Sequence, residues 1–111
     1  MDLKALTDKI PESRRNCRIY ALTMIDDLEW NPLYIGSTCK SLESRFQGHL
    51  RNPSPRLKEL IMAVGAENIQ IVELLRVSEE DRFFVEGRVI RLALAYGHEL
   101  ANKVIPQIEG V

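Results

Sequence analysis

Residues 17–37 read CRIYALTMIDDLEWNPLYIGS, two β-prone runs around a polar turn. Arg18 to Ile25 is rich in Ile, Tyr, Leu, Thr and Met, and Leu33 to Ser37 repeats that character, as half-buried pleated strands do. Between them Asp26-Asp27-Leu28-Glu29-Trp30-Asn31-Pro32 carries turn formers, which predicts an antiparallel hairpin with a rather long loop. Each run holds one tyrosine, Tyr20 and Tyr34. The second closes on Gly36, a residue that lets backbone or phosphate approach a strand end closely.

Downstream, helical spacing takes over. Ser41 can cap a helix running through Leu50, with Glu43 near the positive end of its dipole. Leu42, Phe46 and Leu50 make its expected buried stripe, and Arg45 and His49, four residues apart, project together from an adjacent face. After Asn52-Pro53, Ser54 is placed to cap and Pro55 to open a second helix, with Leu57, Leu60, Ile61 and Val64 on one face and Gly65 as its stop. Asn68 to Val77 reads as a third strand whose apolar residues fall on both faces, implying burial on both. Ser78, with Asp81 three residues on, is expected to cap a third helix reaching about Tyr96, closed by Gly97. Leu3, Leu6 and Ile10, before Pro11, predict a further helix within residues 1–12. The fold class is therefore α+β, a small three-stranded, mostly antiparallel sheet flanked by helices, with an additional N-terminal helix.

Composition sets the limits. The 111 residues suffice for one domain, 1–111, and not for two. With 45% hydrophobic and 28% charged residues the chain resembles an ordinary soluble globule. No apolar run approaches the roughly 18 residues of a spanning helix, and Met1-Asp2-Leu3-Lys4 lacks a cationic leader, so the expectation is cytoplasmic, with no membrane partner. Cys17 and Cys39 lack metal-ligand spacing. Reduced thiols are the default expectation; a disulfide is the alternative, because pairing of the two tyrosine strands would bring the cysteines near each other. The net charge of -1 conceals an asymmetry: Ser37 to Lys58 holds Lys40, Arg45, Arg51, Arg56 and Lys58 against the single Glu43. That segment carries +4 and the remainder -5, a distribution suited to phosphate contacts.

The polar residues that could carry chemistry are Tyr20, Tyr34, Arg45, His49, Glu86 and Asn102. Glu86 is the anomaly, a carboxylate whose helical neighbours are Phe83, Val89 and Ile90. A poorly solvated carboxylate is usually paired, protonated or metal-bound, and Arg82 is the nearest candidate for a simple salt bridge. Arg45 offers a permanently charged planar fork that matches a phosphate. His49, one turn away, is a candidate proton carrier. Any one of the tyrosines alone is an ordinary strand residue, and Asn102 alone an ordinary turn asparagine.

As a set, Arg18-Ile19-Tyr20, Tyr34-Ile35-Gly36, Arg45-x-x-x-His49, Glu86 and Asn102 resemble the GIY-YIG nuclease family. The resemblance spans residues 17–102. One position departs, Arg18 standing where the family's first triplet opens with glycine. The thirteen residues between Tyr20 and Tyr34 are a little more than the family usually shows, which an extended hairpin absorbs.

The resemblance implies a metal-dependent endonuclease that hydrolyses DNA phosphodiesters with one Mg2+, or Mn2+, per active site. Glu86 would hold the cation, Arg45 a non-bridging oxygen, and Asn102 would orient groups around the metal. Tyr20 would act as general base, its pKa lowered from about 10 by the metal and Arg45, with His49 receiving the phenolic proton. Tyr34 would bind phosphate or water. Arg18, Gly36, Lys40, Arg51, Arg56 and Lys58 are the expected nucleic-acid contacts. The partner is DNA, with RNA left open, and cutting both strands with one small site favours a homodimer or sequential nicking. The alternative is a non-catalytic nucleic-acid-binding or protein-interaction module on the same fold.

Overall fold

The computed structural model describes residues 16–102. The helix expected within residues 1–12 lies outside them. Three strands, β1 (Cys17–Met24), β2 (Tyr34–Thr38) and β3 (Ile69–Val77), form one antiparallel sheet in the order β2-β1-β3. Three helices, α1 (Leu42–Arg51), α2 (Pro55–Val64) and α3 (Arg82–Ala95), pack on it, with a single 3-10 turn, Ala66–Asn68, leading into β3. The fold is α+β with an antiparallel three-stranded sheet, as expected. Among the described residues no helix is long and apolar enough to cross a membrane.

Alternation along β1 divides the core. Cys17, Ile19 and Ala21 point to one face, where Val85, Val89, Ile90 and Ala93 of α3 cover them. Tyr20 and Leu22 point to the other, against Leu57 of α2, Leu42 and Phe46 of α1, and Tyr34 of β2. The central strand is thus buried on both sides.

The third strand departs from expectation. It is an edge strand, and Glu73 and Arg76 are exposed. A bulge explains its long apolar run. Ile19 pairs with Leu75 while Tyr20 pairs with Glu73, so Leu74 is the extra residue, and both Leu74 and Leu75 lean on the α3 side. The bulge also leaves Arg18 directly opposite Arg76, and Glu73 lies between them, accepting from Arg18 Nε at 3.0 Å and Arg76 Nε at 3.2 Å.

Helix ends correct two further expectations. Ser41 caps α1 as predicted, accepting from Ser44 N at 3.1 Å. Ser54 occupies the cap position of α2, yet its hydroxyl makes no cap bond and is buried without a partner. Ser78 does not cap α3 either; it accepts from Asp81 N in the turn that precedes Arg82, and Asp81 takes the cap position. Gly65 terminates α2 with φ 88°, the left-handed backbone that glycine adopts cheaply.

The cysteines are joined. A Cys17–Cys39 disulfide ties the first residue of β1 to the residue just after β2, replacing the expected free thiols. The register accounts for it: Arg18 pairs with Thr38, so the next residue outward on each strand is a cysteine.

Candidate active site

The geometry is built around Tyr20. Its ring is fully buried, lying over Gly36 of the paired strand. A side chain at position 36 would begin 2.5 Å from the Tyr20 hydroxyl and 3.0 Å from Tyr34 Cε1. The glycine therefore accommodates a phenol; the close approach expected here of phosphate is made by Tyr20 instead.

Helix α1 delivers two groups to that phenol. Arg45 Nε donates to Tyr20 Oη at 3.0 Å, and Tyr20 Oη lies 2.6 Å from His49 Nε2. With the imidazole hydrogen on Nδ1, the phenol accepts from Arg45 and donates to His49, which satisfies the phenolic oxygen. Residues four apart on a helix share a face, and so the R-x-x-x-H spacing meets a single oxygen. His49, not a member of the Leu42, Phe46 and Leu50 stripe, is the most buried residue of α1. Tyr34 completes the cluster, its ring 6.3 Å from that of Tyr20 and 4.8 Å from that of His49.

Burial dominates the ionisation of these groups. The Tyr20 phenol is pushed well above its ordinary value by burial, a shift that hydrogen bonding from Arg45 reduces without reversing. The expected lowering of its pKa is therefore not what this environment produces on its own. Tyr34 is raised for the same reason. His49 is pushed down to about 4 by burial and by the charge of Arg45, so it is neutral at pH 7, with a ring nitrogen open to the Tyr20 hydrogen bond but a weaker base than an ordinary imidazole.

Glu86, on α3 in the other layer, lies within electrostatic reach of this cluster. Its charge acts on Tyr20, Tyr34 and Arg45, which places all of these groups in one neighbourhood about β2, an outer strand of the sheet. Burial raises the Glu86 pKa, while Ser37, Arg82 and Arg45 favour its ionised form. No hydrogen bond closes between Ser37 Oγ and the carboxylate: among the described residues that buried hydroxyl has no partner. Nor does Arg82 form a salt bridge with Glu86 among the described residues. The apolar surround is narrower than the helix spacing implied, since Val89 and Ile90 are buried but Phe83 is 62% exposed.

The donor set can be weighed against a divalent cation. Among the described residues no three His, Cys, Asp or Glu side chains cluster as a cage. A hard ion such as Mg2+ needs no cage; it keeps several waters and takes one or two carboxylates together with substrate phosphate. Glu86, with the unpaired Ser37 hydroxyl beside it, fits that mode of binding.

Asn102 has a role the sequence did not reveal. It is buried, its Oδ1 accepts from Ile35 N at 3.2 Å, and its Nδ2 donates to Ile35 O at 2.6 Å. With Ala101 N donating to Leu33 O at 2.7 Å, the chain after α3 covers the outer edge of β2 beside Tyr34. Asn102 thus holds the strand and, among the described residues, makes no hydrogen bond to the four clustered side chains, which makes it a positioning residue.

Arg18 is engaged with Glu73 and donates to Lys40 O at 3.4 Å. Lys40, Arg51, Arg56 and Lys58 are exposed. Arg56 lines a cavity of about 330 Å3 with His98, Glu99 and Asn102. Comparison of the chain with known protein families, with characterised proteins and with solved structures finds no match.

Proposed function

We propose that the chain is a metal-dependent endonuclease that hydrolyses phosphodiester bonds in DNA, of the GIY-YIG type. One observation carries this reading: a single phenolic oxygen, that of Tyr20, is held between a guanidinium donor and a neutral imidazole, with a lone carboxylate within electrostatic reach. A phenol in such a setting can accept a proton from water as it passes its own to His49 Nε2, which avoids a free phenolate; the imidazolium so formed, disfavoured by burial and by Arg45, would need the negative charge of the bound phosphate to offset it. Arg45 then has two tasks, steadying the Tyr20 oxygen and offering its remaining N–H groups to a phosphate oxygen whose charge grows in the transition state. Tyr34 packs on His49 and fixes its ring. Glu86, with Ser37 beside it, would supply oxygen ligands for the cation, which would stabilise the charge that develops in the transition state.

A second reading, a nucleic-acid-binding or interaction module without catalysis, is favoured by the complete burial of Tyr20, whose hydroxyl already has two partners. Incubating the protein with supercoiled plasmid and with labelled single strands, in Mg2+, Mn2+ or EDTA, separates the two. Metal-dependent nicking that falls by at least ~10^2 in Arg45→Ala supports the enzyme, that being the scale of losing one preorganised donor. Binding without cleavage on every DNA and RNA form supports the module.

A further inference from the structure

We infer that Arg82 is a second phosphate-binding guanidinium of this site, taking the phosphate next to the one held by Arg45; the inference rests on the phosphodiester reading above. Arg82 opens α3, one turn before Glu86. Its charge and that of Arg45 both act on the Glu86 carboxylate, Arg82 from the α3 layer and Arg45 from the α1 layer. Two cations thus share one carboxylate, and among the described residues neither closes a salt bridge with it. A half-buried cation without an acid of its own is the state that an anionic ligand relieves.

The seat of Arg82 is shaped but incomplete. Nη1 donates to Cys39 Sγ at 3.2 Å, a weak acceptor, and the guanidinium carbon stands 4.3 Å over the ring of Phe83. The ring fixes the plane of the fork. Nε, however, is buried with no acceptor among the described residues. A phosphate oxygen is the acceptor that this planar fork is built to take. Arg45 on α1 and Arg82 on α3 both act on the Glu86 carboxylate, so neighbouring phosphates of one bound strand would meet them in turn.

Affinity for a short DNA duplex, measured in EDTA across a KCl series, tests this without any cleavage. Arg82→Gln keeps a donor towards Cys39 and removes the charge. The expected result is about a tenfold loss of affinity near 0.1 M KCl and a salt slope shallower by about 0.9, the value for one phosphate on duplex DNA. Arg82→Lys should restore the slope, which a merely structural role for the fork would not predict. An unchanged slope in folded Arg82→Gln overturns the inference while leaving the nuclease reading intact; a parent protein that does not bind DNA overturns both. Should Arg82→Gln not fold, the Arg82 Nε–Hε resonance of the unaltered protein decides: it shifts on adding the same duplex, and a stationary resonance overturns the assignment.

Discussion

The hydroxyl of Tyr20 fills the space that Gly36 leaves on the paired strand, so that a Cβ at position 36 would stand 2.5 Å from that oxygen. The phenol cannot yield easily, because its ring is fully buried and Arg45 and His49 both hold its hydroxyl. Gly36→Ala is therefore expected to cost about 1–3 kcal/mol of stability, the range for overpacking, and to misplace the Tyr20 hydroxyl. Denaturant unfolding measures the first effect. The second appears as loss of cleavage at temperatures where the variant is still folded.

Asn102→Ala strips both backbone groups of Ile35 of their outer partners. Leaving buried backbone unpaired should cost about 1–3 kcal/mol. Asn102→Asp discriminates further: its carboxylate can still accept from Ile35 N but opposes Ile35 O, so it should destabilise comparably. An Asp variant as stable as the parent would show that the second bond contributes little.

The depressed pKa of His49 makes stability pH-dependent. The unfolded imidazole binds a proton near pH 6.5 and the folded one only near pH 4, so stability falls as pH drops through that window. Arg45 stays charged and Tyr20 and Tyr34 stay neutral across it, while Glu86, raised by burial, contributes with the opposite sign. Comparison with His49→Asn isolates the histidine. The parent should lose on the order of 2 kcal/mol more than the variant between pH 7 and pH 4, a figure reduced for partial solvation. Parallel stability curves would contradict the neutral, buried imidazole.

Reduction of Cys17–Cys39 opens a loop closed across a sequence separation of 22 residues. Chain-entropy arguments put the loss of stability at about 3 kcal/mol. Alkylation followed by mass measurement should label neither cysteine before reduction and both after it.

Local signals in the sequence were sufficient for most elements. The strands containing Tyr20 and Tyr34 follow from residue type, α1 from Ser41 and its apolar spacing, and α2 from Pro55 and Gly65. What escaped depends on register and distant partners. The bulge at Leu74 cannot be seen in a run of apolar residues, so β3 looked buried on both faces. The disulfide requires knowing that Arg18 meets Thr38. The pairing of His49 with the Tyr20 hydroxyl, 29 positions earlier, is expected only through the family resemblance, since helix spacing alone does not say which phenol the imidazole meets. Asn102 finds Ile35 across 67 positions, through backbone groups that carry no signature in sequence.

Cleavage of supercoiled plasmid by the parent and by Glu86→Gln, across a Mg2+ titration, tests the nuclease reading most directly. Glutamine keeps the shape of the side chain and removes the charge that would hold the cation, so fold and metal-free DNA binding should persist. The parent is expected to nick the plasmid in Mg2+ and not in EDTA, with the rate lowered by at least ~10^2 in Glu86→Gln. Nicking that survives Glu86→Gln unchanged would contradict the role given to that carboxylate, and a parent that leaves every DNA and RNA form intact would contradict the enzyme itself.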